Sequence, residues 1–261
     1  MNKVKILDVE IDNISCDDLL HKLSQGGVVL TPNIDHLVKL QTDVEFYQAY
    51  QAATYRVCDS QILLWTSRIM RIGLKEKISG SDFFPRFCEH YKDDPAVTIF
   101  LLGAAEGVAA KAQQRINHRL GRNLVIDTHS PSYSFLDNED ENQEIIDRIN
   151  RSGATVLAIG VGAPKQEKWL YRYRHRLPNI KVALAVGATI DFEAGHIKRA
   201  PKWVSESGLE WLYRLATEPG RLWKRYLVDD LTFFGLLIKH QLQNRSQKNS
   251  ASRCASSSEA I

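Results

Sequence analysis

No apolar run in this chain of 261 residues approaches the roughly 20 residues that span a bilayer as a helix. The amino terminus, MNKVKILDVEID, has no apolar core of signal-peptide type, so a secretory leader is not expected. Cysteine is scarce. Cys16, Cys58, Cys88 and Cys254 show neither a disulfide rhythm nor zinc-ligand spacing, which points to a reducing compartment. Charge of one sign is also lacking: 34 Lys and Arg face 31 Asp and Glu, a net of +3, so nothing argues for a nucleic-acid partner. There is no D-x-D pair of the metal–nucleotide clamp type, and the eight histidines lack metal spacing. No G-x-S-x-G elbow or P-loop is present, which leaves hydrolase and NTPase readings without support. The expectation is a cytoplasmic protein, soluble or held on a membrane surface, with neither metal nor cofactor.

What is there is an ordinary globular composition, 44% apolar and 25% charged. Strand-like runs at 27–30, 54–58, 97–102, 124–127, 155–160 and 182–186 alternate with helical patterns such as 106–120, 140–151 and 165–176. Such alternation predicts a Rossmann-like α/β fold, a mostly parallel sheet with helices on both faces, over residues 1–195. From about His196 the pattern becomes all-helical, predicting an appendage over 196–243, and the Ser- and Ala-rich 244–261 reads as a disordered tail.

The strand ends carry the polar signals. In GVGAPKQEKW (160–169), glycines let the backbone turn and approach a ligand, Pro164 suits a helix start, and Lys165, Gln166 and Glu167 crowd polar groups there. Thr31-Pro32-Asn33 ends the first strand and presents Thr31 and Asn33 as hydrogen-bonding groups. Asp59 ends the next. It reads equally as a general base in a crevice or as the cap of the helix beginning near Gln61. Ile78–Asp82 (ISGSD) and Gly103–Gly107 (GAAEG) resemble anion-binding turns, though each alone is more often structural. Asp127 stands where a dinucleotide fold has its ribose-binding acid, but the G-x-G-x-x-G pattern is missing, so NAD binding is weakly supported.

Between Lys198 and Arg225 seven Lys and Arg face three acids, interleaved with Trp203, Trp211 and Trp223. Basic and aromatic residues on amphipathic helices suit an interfacial membrane contact. At about 1 kcal/mol per basic residue the charge alone gives weak docking, and burial of a few apolar side chains adds roughly 1.5–3 kcal/mol each. Helices packed on the sheet are an equal reading for Trp211 and Leu212. Packing suits the Phe233–Ile238 patch less well.

Taken in order, TPN with Asn33, Asp59, ISGSD, GVGAPKQEKW, VGATIDFEAGHIKRAPKW (186–203) and GLEWLYRLATEPGRLWKRYL (208–227) resemble the WecG/TagA/CpsF family of bacterial glycosyltransferases over roughly residues 5–240. The resemblance implies inverting, metal-independent transfer of a sugar from a UDP-sugar to a polyprenyl-diphosphate-linked sugar at the inner face of the cytoplasmic membrane. It further implies a donor sugar of N-acetylmannosamine, glucuronic acid or hexose type and products that feed teichoic acid, enterobacterial common antigen or exopolysaccharide. It implies Asp59 as the base, Thr31, Asn33 and Gln166 as pocket residues, and Arg214, Arg221 and Arg225 as the group that binds diphosphate from the appendage. It also permits self-association. Two positions depart from the family pattern: Lys77 stands where many relatives have arginine, keeping the charge but losing the bidentate fork, and Ser60 where many have glycine. The rival from another class is a non-catalytic nucleotide-binding or scaffold protein of a polysaccharide assembly complex.

Overall fold

The structure, a computed structural model, describes residues 2–197, 204, 210–217, 220, 223, 232–240 and 242. Strands β3 (Gly27–Leu30), β4 (Tyr55–Arg56), β5 (Ile99–Gly103), β6 (Val125–His129), β7 (Val156–Gly160) and β8 (Val182–Ala185) form one parallel sheet in the order β4-β3-β8-β7-β5-β6. The runs are continuously apolar because both faces are covered. Along β5, Phe100 and Leu102 enter one core while Ile99 and Leu101 enter the other, and β7 and β8 divide in the same way.

Helices α2 (Ile34–Lys39), α3 (Val44–Ala52), α4 (Gln61–Ile69), α7 (Glu139–Ser152) and α8 (Lys165–Tyr173) supply the first core. Helices α1 (Cys16–Lys22), α5 (Gly80–His90), α6 (Val108–Leu120) and α9 (Thr189–Ala194) supply the second. This is the Rossmann-like arrangement that the alternation of segments predicts.

Two features were not expected. Residues 3–12 form an antiparallel hairpin, β1 (Lys3–Ile6) and β2 (Val9–Asp12), whose Asp12 carboxylate accepts the Arg56 N–H at 2.8 Å beside the edge strand β4. The Phe233–Ile238 patch also divides. Phe233 and Leu237 are buried in the first core, and Phe234 and Ile238 face outward. Helical residues 232–240 thus dock on the α/β unit, with His240 Nε2 3.6 Å from Asp8. Most of the 196–243 appendage, including Arg221 and Arg225, and the whole 244–261 segment lie outside the described residues.

Candidate active site

Short backbone contacts gather the strand-end motifs. Val57 N–H donates to the Leu30 carbonyl (2.9 Å) and Asp59 N–H to the Pro32 carbonyl (2.8 Å), which lays Asp59 beside Thr31-Pro32-Asn33. From its other side, Ile78 N–H donates to the Cys58 carbonyl (2.7 Å) and draws in the Lys77–Asp82 turn. A Cβ on Gly80 would lie 3.1 Å from the Val186 carbonyl oxygen, so the start of α5 is pressed on the end of β8. There Gly187 N–H donates to Gln166 Oε1 at 3.2 Å. Five segments distant in sequence therefore meet along the carboxyl edge of the sheet, where open α/β folds bind ligands.

Individual side chains refine the expectations. The cap of α4 is Ser60, whose hydroxyl accepts the Leu63 N–H, so Asp59 is not the capping residue. Asn33 caps α2 with its Oδ1, which accepts the His36 N–H at 3.1 Å and is therefore committed within the protein. Thr31 is buried at the end of β3. Lys77 Nζ lies 3.9 Å from Asp82 Oδ2. The ISGSD turn is a capping arrangement: Ser79 Oγ accepts the Asp82 N–H and donates to Asp82 Oδ2 at 2.6 Å. An acidic side chain therefore already sits where an anion would bind. Asp127 is held by Arg148 through two hydrogen bonds of 2.8 and 3.0 Å, which removes it from the ribose-binding role. Beside Asp59, burial pushes the Cys58 thiol up to about 12, well out of the range of a nucleophile. Among the described residues no group of three His, Cys, Asp or Glu could hold a metal ion.

A cavity of about 400 Å³ opens at the ends of β5, β7 and β8. The chain leaves β5 toward β6 on one side and leaves β7 toward β8 on the other, which makes this the topological switch point of the sheet. Gly160, Gly162 and Gly187 are among its lining residues, and the backbone behind them is tightly packed. A Cβ on Gly103 would collide with Gly160, and one on Gly160 with the Gly187 carbonyl. The GAAEG turn contributes Ala104 and Ala105 to the wall, and Ser130 Oγ, bonded to the Gly103 and Ala105 carbonyls, ties down the facing loop. On that loop Tyr133 is 89% exposed, yet Lys165 Nζ lies 3.4 Å from its ring centroid and donates to its carbonyl at 2.6 Å. Tyr133 carried no motif that could have flagged it. A larger, shallower depression of about 540 Å³ lies near Asn117 and Arg122, whose side chains are spent on backbone carbonyls.

Behind Gln166 lies a buried polar cluster. Gln166 Nε2 donates to Glu167 Oε1 at 2.8 Å, and Glu167 is 1% exposed. Burial raises its carboxyl pKa to about 7, opposed by the Gln166 hydrogen bond and by Lys39. Burial also holds the Tyr50 hydroxyl well above its ordinary value, reinforced by Glu167, Asp59 and Asp35. Tyr50 therefore keeps its proton, and its hydroxyl shares a hydrogen bond of 2.6 Å with His36 Nδ1. Helix α8, which carries Gln166 and Glu167, is anchored by the fully buried Trp169, whose indole N–H donates to Asn142 Oδ1 at 2.7 Å. Arg172 on Glu45 and Lys168 on Asp43 pin it to α3. Arg214 belongs to the helix Glu210–Thr217; Arg221 and Arg225 lie outside the described residues.

The chain is similar to known sequences over most of its length. The sequence model described as "Glycosyl transferase WecG/TagA/CpsF family" matches residues 4–247. A protein of Bacillus spizizenii named N-acetylglucosaminyldiphosphoundecaprenol N-acetyl-beta-D-mannosaminyltransferase is 27% identical over 204 residues, covering 78% of this chain and 76% of its own. Its namesake in Bacillus subtilis (strain 168) is 28% identical over 202 residues, covering 77% and 75%. The chain belongs to the WecG/TagA/CpsF family and is a glycosyltransferase.

Proposed function

We propose that this member of the WecG/TagA/CpsF family moves a sugar from a UDP-sugar to a polyprenyl-diphosphate-linked sugar in cell-envelope polymer synthesis, with inversion and without a metal. The names of the two relatives make N-acetylmannosamine the first donor sugar to test and an N-acetylglucosaminyl-diphospho-polyprenol the first acceptor. The observation that carries the reading is the meeting of Asp59, Thr31 and Gln166 on one sheet edge, beside a cavity at the switch point that Gly160, Gly162 and Gly187 help to line.

In this mechanism the nucleotide-sugar occupies the cavity at Gly160, Gly162 and Gly187. Asp59 takes the proton of the acceptor hydroxyl as that oxygen attacks the anomeric carbon opposite the leaving UDP. A positioned base of this kind contributes roughly 10²–10⁴-fold. The charge that develops on the diphosphate is offset by fixed donors and cations: Lys77 from the core and Arg214, Arg221 and Arg225 from the carboxyl-terminal region. Arginine suits the second group because its planar fork binds phosphate oxygens in pairs. No helix among the described residues is long and apolar enough to cross a membrane. A lipid-linked acceptor is then reached by docking on the membrane surface, through the basic and aromatic carboxyl-terminal segment. Arrival of that segment over the cavity excludes water and limits hydrolysis of the donor.

The test is acceptor-dependent UDP release by purified protein in EDTA, with detergent-solubilised polyprenyl-diphosphate-sugar and a panel of UDP-sugars. Release with one donor, abolished in Asp59→Asn, is the expected result. Release that requires added metal would overturn metal independence. Silence across the panel with folded protein and presented lipid would favour the scaffold role.

A further inference from the structure

Glu167 is a costly residue where it stands. An ionised carboxylate out of water is stabilised only by the hydrogen bonds and charges around it. Here Oε1 accepts from Gln166, while Oε2 is buried with no hydrogen-bond partner. The groups that face it are Asp35 and Lys39 of α2, and Tyr50 of α3 with its partner His36. Asp59, just past β4, acts on the same Tyr50 hydroxyl. On α8 itself, Lys168 is already paired to Asp43 and Glu45. An apolar side chain would satisfy packing here at lower cost, so the carboxylate calls for a reason beyond packing.

That reason lies in the neighbouring amide. A glutamine side chain can turn over, exchanging its oxygen and nitrogen. Gln166 is held at both ends by single-valued partners: the Gly187 N–H can only donate and an ionised Glu167 can only accept. We propose that Glu167 is a positioning residue for the glycosyl transfer, its buried carboxylate fixing the Gln166 amide in one orientation so that Gln166 meets the substrate preset. The proposal rests on Gln166 being a substrate-pocket residue, as in the function proposed above. Protonation makes Glu167 both donor and acceptor and removes one of the two constraints. The carboxyl's midpoint near 7 places that loss within the working range of pH.

The experiment uses the full chain and four forms: parent, Glu167→Gln, Gln166→Ala and the double variant, each assayed for transfer from pH 5.5 to 9. In the parent, kcat/KM declines as pH falls through about 7. Glu167→Gln lowers it roughly 10- to 100-fold at pH 8, the scale of a misplaced binding group, and removes that step, while the protein stays folded. The double variant is no worse than Gln166→Ala alone, because both changes disable one device. A readout independent of turnover is the Gln166 side-chain amide in a ¹H–¹⁵N spectrum, identified by its absence in Gln166→Ala. Its shift follows the Glu167 titration in the parent and is flat in Glu167→Gln. Parental rates and pH profile in Glu167→Gln, alongside an impaired Gln166→Ala, would overturn the positioning role and leave the site intact. Additive losses in the double variant would do the same. Parental rates in Gln166→Ala would instead overturn the substrate-pocket reading of Gln166, and the positioning role with it.

Discussion

Ser60 caps helix α4 directly beside Asp59, its hydroxyl accepting the Leu63 N–H at 3.2 Å. The helix therefore draws its cap from the serine, and the aspartate stands outside that task. Substituting each separates stability from chemistry. Ser60→Ala should cost about 1 kcal/mol in urea unfolding, the usual worth of a cap, with transfer largely retained. Asp59→Asn should unfold like the parent and lose at least 10²-fold in kcat, as a missing base does. Near-parental turnover in Asp59→Asn would remove the base assignment.

The cavity-lining glycines make a second prediction. A methyl group on Gly160 meets the Gly187 carbonyl and the Ile190 side chain, so Gly160→Ala should destabilise by roughly 1–3 kcal/mol as an overpacked site. Gly162 has φ +83° and open space within 4 Å of where a methyl would lie, so Gly162→Ala should show only the left-handed penalty, about 1–2 kcal/mol. Gly160→Ala should also weaken UDP binding by calorimetry. Unchanged binding would place the nucleotide elsewhere.

Glu167 makes stability depend on pH. Its folded-state pKa of about 7 lies above the ordinary 4.5. The folded protein therefore binds more protons than the unfolded chain between these values, and stability falls as pH rises through that window. A shift of this size corresponds to about 3 kcal/mol. Glu167→Gln should thus gain on the parent between pH 5 and pH 8 in urea midpoints. Parallel curves would contradict the buried-acid assignment.

Tyr133 is on the cavity lip, under the Lys165 ammonium. An exposed cation–π contact is worth about 0.5–1 kcal/mol, so Tyr133→Ala should barely move the unfolding midpoint. It should raise KM for the donor several-fold if that lip meets the nucleotide-sugar. An unchanged KM would mark the lip as bystander surface.

Helical residues 232–240 present two faces. Phe233→Ala should cost roughly 3–5 kcal/mol as a large core deletion. Phe234→Ser with Ile238→Ser should leave stability nearly unchanged and reduce sedimentation with anionic vesicles. Equal vesicle binding would remove this face from the membrane contact.

Much of this arrangement could be read in the chain. β3, β5, β7 and β8 were legible because a strand covered on both faces is apolar at every position. The motifs at their ends were legible because glycine, proline and acids cluster where an apolar run stops. The amino-terminal hairpin was not. Its turn places Leu7 and Asp8 at positive φ, 47° and 64°, without the Asn-Gly or Asp-Gly pair that marks such turns. Burial of Leu7 in the core offsets that strain, and no local pattern reveals it. Gln166 did leave a trace. It lies three, four and seven residues before Trp169, Leu170 and Tyr173, on the buried face of α8, so a polar residue occupied a core position.

The sequence by itself determined the alternation of strands and helices from β3 onward and which side chains end those strands, because periodicity and turn chemistry are local properties. Tertiary structure alone decided which of two adjacent capping residues, Asp59 or Ser60, serves the helix. It alone packed the backbones of Gly103, Gly160 and Gly187 against one another and sealed Glu167 from water. Each of these depends on how near a distant segment comes, and spacing along a chain carries no record of that distance.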